Sequence, residues 1–278
     1  MRGVSGSRAA RLLRRAGFYL GLLLVLGVFV FPFVWMVLNS FKTHDRITEY
    51  PPVFRFEPTL GNYRNVFAQA QFLEYTWNSF IVSFGAVGFG MLLGLPAAYA
   101  IARYGHRGFA FGVLACRMIP GIAFLVPWFI VFRMLGLLDT YVGLILAHLV
   151  ITVPLIVWIM IGFFEEVPIE LEEAARIDGC SRAGVFLRIA LPLVRPGLVS
   201  AGILALIFAW NSFLFPLILA GVNTKTLPVL VYSFMTFDFL DLGGIYAAAT
   251  LITLPVVLMV LAVQRQLIRG LTIGGVKG

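Results

Sequence analysis

Side chains that commonly carry catalytic chemistry are few in this sequence and lie far apart. The histidines and lysines number three each: His44, His106, His148, Lys42, Lys225 and Lys277. They form no HExxH pattern and follow no GxxxxG phosphate loop, and no GxSxG motif is present. Cys116 and Cys180 give neither a disulfide framework nor a zinc spacing. We therefore expect no enzyme, no metal site and no ATP site in this chain.

The charged residues, in contrast, are concentrated in one place. Segment 165–196 holds ten of them, including three glutamates between 170 and 173 that would complement the dipole at the start of a helix. Gly179 is suited to a left-handed helix end, and Ser181 can cap a second short helix. Pro192 is expected to end that second helix. The segment therefore predicts a helix–turn–helix.

The remainder of the chain is very apolar. Of its 278 residues, 60% are hydrophobic and 12% are charged, and the mean hydropathy is +0.96. Soluble domains are about half apolar and about a quarter charged. This composition excludes an ordinary soluble enzyme, a disordered chain and a disulfide scaffold, and it indicates an integral membrane protein.

A membrane-spanning helix needs about 20 apolar residues. Six segments qualify: 17–38, 78–102, 109–132, 141–164, 197–220 and 244–263. The third contains Pro120 and Pro127 and is the span expected to be broken. Around the spans lie an N-terminal tail (1–16), a long external loop (39–77), a core (78–268) that includes segment 165–196, and a C-terminal tail (269–278). The sequence thus predicts an all-α protein with six transmembrane helices.

The distribution of basic residues predicts the orientation. With the N-terminus inside, fourteen of the 21 basic residues fall on the cytoplasmic side and six outside, while Arg117 lies within a span. Both termini are then cytoplasmic. The membrane topology accounts for the net charge of +8, so this charge does not indicate nucleic-acid binding.

Seven residues of the charged segment follow a fixed pattern: Glu173, Ala174, Ala175, Gly179, Ile189, Leu191 and Pro192. The pattern resembles the EAA signature of the permease subunits of binding-protein-dependent ABC importers, at its usual place before the penultimate span. Residues 209–211 (Ala-Trp-Asn) and 274–278 resemble the carbohydrate subfamily, the latter its maltose-type second permease subunit. Residues 242–244 depart from the family, in which a Trp-Gly pair is common, and this affects one external loop.

The resemblance implies a type I ABC importer permease fold in a prokaryotic cell membrane. It also implies several partners: a second permease subunit, two copies of an ATPase subunit that bind ATP and Mg²⁺, and an extracytoplasmic solute-binding protein. The EAA helix would lie in a groove of the ATPase, and Lys277 in the C-terminal tail would also reach it. The residues assigned to coupling are Glu173, Ala174, Ala175, Asp178, Gly179, Ile189, Leu191 and Pro192.

Three polar or aromatic residues are candidates for the translocation pathway. Asn211 stands beside Trp210, and an amide next to an aromatic face suits a sugar. Arg117 lies within a span, where polar groups usually face a cavity or a partner helix. The alternatives are that Trp210 only packs and that Arg117 reaches to the interface. Segment 221–243 resembles the family's segment that meets the binding protein.

Other functions remain open at this point. An ion-coupled secondary transporter would need an ionisable relay at mid-membrane, and the spans offer only Arg117 and His148. A membrane scaffold would explain the charged segment, but it would not explain the broken span or the polar residues within the spans. Within the ABC class, the solute could instead be a polyamine, a phosphate ester or a peptide.

Overall fold

The computed structural model describes residues 8–68, 71–105, 107–235 and 240–273, and within these ranges the chain is helical and contains no strand. The elements are α1 (Arg8–Ser40), α2 (His44–Thr48), α3 (Gly61–Ala68), α4 (Gln71–Tyr104), α5 (Arg107–Met118), α6 (Ile122–Met134), α7 (Tyr141–Glu165), α8 (Ile169–Ile177), α9 (Arg182–Val185), a π-helical turn (Phe186–Ala190), α10 (Leu191–Leu193), α11 (Arg195–Trp210), α12 (Leu214–Leu219), α13 (Leu227–Ser233) and α14 (Leu242–Ile273).

Four of these helices, α1, α4, α7 and α14, are long and apolar enough to cross a membrane. Two bent pairs of helices can each provide one more span. The first joins Gly108–Met118 to α6 at 91°, and the second joins Arg182–Leu193 to α11 at 81°. The structure thus provides four to six candidate spans, of which the predicted six is the upper value, and the all-α fold class is confirmed.

Two predicted spans are not continuous helices. Span 109–132 is interrupted between α5 and α6, at Pro120, which has no N–H to continue the helical ladder. Span 197–220 ends at Trp210 and resumes at Leu214, because Pro216 cannot donate to the carbonyl of Ser212. The predicted external loop 39–77 is also partly helical, since α2, α3 and the first turns of α4 lie within it.

One compact unit contains the described residues up to Ala68 and from Leu240 to Thr250. Its connection after α1 is held by Asn62, whose amide donates to the carbonyls of Ser40 and Lys42, both at 2.8 Å. The buried Lys42 ammonium lies 4.5 Å from the ring centre of Trp35 and 5.1 Å from that of Phe56. These cation–π contacts stabilise a charge that is removed from water.

The second unit contains the described residues from Gln71 to Met235 and from Leu251 to Ile273, and it is organised around α4 and α7. A Cβ atom at Gly90 would lie 2.9 Å from the Thr152 hydroxyl oxygen, and one at Gly94 would lie 3.0 Å from Ile156. The two glycines therefore allow the backbones of α4 and α7 to approach closely, as small residues do in membrane helices.

Candidate functional site

Helix α8 begins where the charged segment leaves the membrane-spanning helix α7. Pro168 is its N-cap, and Glu170 and Glu172 occupy its first turn. Carboxylates at these positions stabilise the positive end of the helix dipole. The start of α8 is thus specified by a few local residues.

The end of α8 is specified by Gly179, which adopts a φ of +87°. The Gly179 N–H donates to the carbonyl of Arg176 at 3.1 Å, and the Cys180 N–H donates to that of Ala175 at 2.9 Å. This pair of bonds is a Schellman cap, in which glycine is favoured because a Cβ would strain the backbone. Gly179 therefore fixes the direction in which the chain leaves α8, and the predicted C-cap is confirmed.

The inner face of α8 is held by Glu172, whose side chain is 7% exposed. One carboxylate oxygen lies 2.6 Å from a terminal guanidinium nitrogen of Arg103 and accepts from its Nε–H at 2.8 Å. The Tyr99 hydroxyl donates to the other oxygen at 2.6 Å, and Arg103 also donates to the carbonyl of Val167 at 3.0 Å. Both charges are paired and hydrogen-bonded, so α8 is joined firmly to the C-terminal end of α4.

The outer face of α8 is exposed and partly apolar. Ile169, Glu173 and Ile177 recur at intervals of four residues, so they form one stripe, and Ala174 lies beside it. Ile177 is 87% exposed and Ile169 is 49% exposed. Large apolar side chains that share one exposed face of a charged helix are typical of a surface that contacts another molecule.

The chain after Gly179 departs from the predicted helix–turn–helix at its end. Ser181 caps α9 as predicted, since its hydroxyl accepts from the Gly184 N–H at 3.1 Å. Pro192, however, is not the last residue of the second helix. A π-helical turn, closed by the Leu191 N–H donating to Phe186, leads directly into α10, and the helix ends one residue after Pro192, at Leu193, before the 81° bend into α11.

The last positions of the fixed pattern face the protein interior. Leu191 packs against the core cluster that contains Ala190 and Val194, and Ile189 is half-buried. Asp178, in contrast, is exposed at the end of α8. The predicted coupling residues thus divide into an outward group on α8 and an inward group that anchors the segment.

The two adjacent pathway candidates differ in their surroundings. Trp210 is 1% exposed, its indole N–H donates to the carbonyl of Ile252 at 3.2 Å, and its ring packs edge-on against Phe80. Asn211 is exposed at the end of α11, where its amide donates to Ile207 at 2.8 Å. This geometry leaves Asn211 accessible and makes Trp210 a packing residue.

Arg117 occupies the last turn of α5, just before the bend into α6. Its guanidinium carbon lies 5.3 Å from the ring centre of Phe208, which is a cation–π distance. Lys277, the predicted contact in the C-terminal tail, lies outside the described residues.

At the connection between α6 and α7, Asp139 organises the start of the predicted docking segment. Its carboxylate accepts from the backbone N–H groups of Gly221 at 2.8 Å and Thr224 at 3.0 Å, and from the side chains of Asn223 and Thr224, both at 2.8 Å. Burial disfavours the carboxylate, but the hydrogen bonds from Thr224, Gly221 and Asn223 outweigh it and lower the pKa of Asp139. Asp139 adopts a φ of 54°, a conformation that aspartate tolerates better than most residues.

Sequence reasoning missed the roles of Glu172, Arg103 and Asp139. It used Glu172 only as a dipole-compensating carboxylate and Arg103 only as a topological charge, and it gave Asp139 no role. The adjacent Glu172–Glu173 pair carries only a weak signal: neighbouring residues on a helix point about 100° apart, so two adjacent glutamates meet different surroundings. Within the described residues, no group of three potential ligands that could hold a metal ion is present.

The fold is that of a helical, multi-pass membrane component, with the exposed, partly apolar helix α8 before its last candidate spans. A family model described as the inner membrane component of binding-protein-dependent transport systems matches residues 90–273, and the chain belongs to this family. It is therefore an ABC transporter permease, a multi-pass protein of the inner membrane, as the EAA-like pattern predicted.

Relatives extend the likeness to nearly the whole chain. The diacetylchitobiose uptake system permease protein DasC of Streptomyces coelicolor is 35% identical, over 90% of this chain and 92% of the relative. The trehalose/maltose transport system permease protein MalG of Thermococcus litoralis is 33% identical, over 96% and 98%. A solved bacterial ABC transporter that imports the polysaccharide alginate has a similarly folded chain, with a TM-score of 0.75 at 20% identity, covering 93% of this chain and 98% of that one.

Proposed function

We propose that the chain is one of two permease subunits of an ATP-driven importer for a sugar or oligosaccharide. The relatives named for diacetylchitobiose and for trehalose and maltose support this solute class. In the proposed assembly, two copies of an ATPase subunit bind ATP and Mg²⁺, and an extracytoplasmic binding protein delivers the solute. This chain supplies part of the pathway and contributes no catalytic group.

The observation that carries the proposal is the two-faced construction of α8. Its inner face is locked to α4 through Glu172, and its outer face leaves Glu173, Ala174 and Ile177 in water. A single exposed isoleucine would be ordinary, but Ile169 and Ile177 lie on one stripe of a charged helix, as expected of a surface that a partner covers. An ATPase groove would bury Ile177, would approach closely over Ala174, and would offer Glu173 a basic partner.

The same proposal assigns sides to the membrane. With α8 and both termini in the cytoplasm, fourteen of the 21 basic residues are inside. The connection that carries Asp139 and the loop that it holds then face the extracytoplasmic binding protein. Asn211, exposed at the break between α11 and α12, is the proposed polar contact for the solute.

The experiment that tests coupling is copurification of the ATPase with the membrane subunits. Glu173→Lys is expected to abolish recovery of the ATPase, because it reverses the charge offered to the groove. Glu166→Lys makes the same change at an exposed carboxylate beside the end of α7 and should leave recovery unchanged. Equal recovery with both variants would contradict the assignment of Glu173.

The solute class needs a separate test. The cognate binding protein should bind a mono- or oligosaccharide, and reconstituted importer should accumulate that sugar only with ATP inside. Uptake of a peptide, polyamine or phosphate ester in place of a sugar would leave the assignment to ABC importers intact and contradict the sugar assignment.

A further inference from the structure

Helix α4 makes buried polar contacts near both of its ends, and each set of contacts holds a different segment of the chain. Asn78 lies near the first end and Arg103 near the last. With a rise of about 1.5 Å per residue, these two residues lie about 38 Å apart along one helix. This length is comparable to the thickness of a membrane including its headgroups.

At the first end, α4 binds the segment 221–227, here called the outer loop. Asn78 is 1% exposed, and its amide donates to the carbonyls of Asn223 and Lys225, both at 3.0 Å. The hydroxyl of Ser79 accepts from the N–H of Leu227 at 2.7 Å. The outer loop is thus bonded to α4 at three backbone groups.

Asp139 fixes the same loop from the other side. It accepts from Gly221, Asn223 and Thr224, and Tyr141, at the start of α7, donates to the side-chain oxygen of Asn78 at 2.6 Å. Because these bonds leave little freedom within the loop, a force on it is passed to α4 instead of being absorbed locally.

At its C-terminal end, α4 contacts α8. Tyr99 and Arg103 both bond to the buried carboxylate of Glu172. Moving α8 without α4 would leave a charge buried and unpaired, which is strongly unfavourable. The helix that faces the proposed ATPase therefore moves together with the end of α4.

Between its ends, α4 is braced along α7. The hydroxyl of Thr152 donates to the carbonyl of Ala86 at 3.2 Å, and Gly90 and Gly94 bring the backbone of α4 against Thr152 and Ile156. Close-packed interiors transmit displacement because they have few voids to fill. The two ends are thus connected by one continuous, supported helix.

We propose that α4 is the element that links binding-protein docking at the outer loop to ATPase engagement at α8. The inference rests on the proposed function, which supplies a partner at each end. Coupling between two binding sites is reciprocal, so docking outside favours engagement inside to the same extent as the reverse. Asn78 and Glu172 act here as positioning residues, since neither is proposed to touch the solute or ATP.

The test is a double-mutant cycle on the complete complex in lipid nanodiscs. The readout is the ratio of ATPase rates with and without saturating sugar-loaded binding protein. Asn78→Ala and Glu172→Gln should each lower this ratio about fivefold or more, the lower end of usual allosteric coupling. The double variant should be no lower than the stronger single variant, because both changes interrupt one route.

Two controls separate this role from general damage. Thr76→Val removes an α4 hydroxyl that donates within its own helix, to Phe72, and Glu166→Gln removes an exposed carboxylate. Both should keep the wild-type ratio. If either main variant fails to assemble, Ser79→Ala and Tyr99→Phe remove one bond at each end and decide the question in the same way.

The outcomes are distinct. The role of α4 would be overturned if the double variant showed the product of the two single reductions in the ATPase ratio. It would also be overturned if the single variants kept the wild-type ratio. Either result would leave the importer assignment intact. A wild-type complex whose ATPase does not respond to loaded binding protein would overturn the proposed function itself.

Discussion

A carboxylate oxygen of Glu172 lies 2.6 Å from a guanidinium nitrogen of Arg103, and both side chains are almost excluded from solvent. The next residue, Glu173, is exposed, about 100° further round the same helix. Two adjacent glutamates thus have different physical roles. Glu172 holds α8 to the end of α4, and Glu173 is the residue that the proposed function assigns to the ATPase.

This difference predicts unequal costs of removing the two carboxylates. Glu172→Ala should destabilise the protein by about 3–5 kcal/mol, because it leaves the Arg103 charge buried without its partner. Glu173→Ala should change stability by less than about 0.5 kcal/mol, as is usual for surface sites. Thermal unfolding in detergent measures both, and equal shifts in Tm would contradict the buried ion pair.

Gly179→Ala should destabilise the end of α8 by about 1–2 kcal/mol. No heavy atom lies within 4 Å of the position its Cβ would take, so the cost comes from the φ of +87° and not from a clash. Gly162→Ala in α7 is the matched control, since its Cβ also meets open space and its φ is helical. Asparagine at 179 should recover part of the loss, whereas a loss equal to that of alanine would argue against backbone strain.

Gly90→Val should weaken the packing of α4 on α7 by about 1–3 kcal/mol, the usual cost of overpacking. A Cβ at Gly90 would lie 2.9 Å from the Thr152 hydroxyl oxygen, whereas one at Gly88 would meet no atom within 4 Å. Gly88→Val therefore serves as a control of the same size on the same helix. A comparison of Tm values decides the matter, and similar values for the two variants would mean that α4 and α7 are not this close.

Asp139→Asn should loosen the outer loop while keeping the backbone turn, because asparagine also tolerates a φ of 54°. The variant loses charge-assisted hydrogen bonds, so the amides of Asn223 and Thr224 should exchange hydrogen faster than in wild type. Asp45→Asn, an exposed aspartate in the other compact unit, is the control. Unchanged exchange at Thr224 would rule out the carboxylate as the organiser of the loop.

The same interaction predicts a pH dependence with a definite sign. The pKa of Asp139 lies below its ordinary value of 3.8, so folding favours the ionised form. Its contribution to stability is therefore fully present above pH 3.8 and is lost as pH falls through the lower pKa of the folded state. The difference in amide exchange of the loop between wild type and Asp139→Asn should therefore stay constant from neutral pH down to pH 3.8. A difference that vanished near pH 6 would contradict the role of the carboxylate.

Features that depend on a few neighbouring residues could be predicted from the sequence. The cap at Gly179 and the cap at Ser181 need only a permissive φ or a nearby hydroxyl, and both are found as predicted. The break near Pro120 follows in the same way from a missing N–H. The course of the chain through Pro192 did not follow, because the π-helical turn before it depends on packing and not on that proline alone.

Long-range pairing could not be predicted. Arg103 and Glu172 are 69 residues apart, and each has a sufficient local explanation, as a cytoplasmic charge and as a first-turn carboxylate. The orientation of the Trp210 ring could not be predicted for the same reason. The sequence places an indole next to Asn211 but does not indicate which face of α11 packs against Phe80. Such choices are made by the packing of the whole unit.

The exposed Ile177 has a consequence for how the subunit is made. Full burial of an isoleucine is worth about 1.5–3 kcal/mol, and a copy without its ATPase leaves Ile177 87% in water. In the proposed importer α8 lies on the cytoplasmic side, so a subunit without its ATPase leaves this side chain uncovered there. An unassembled subunit is then distinguished from an assembled one by this exposed apolar surface and not by unfolding. Quality control that detects such surfaces would keep the number of permeases matched to the supply of ATPase.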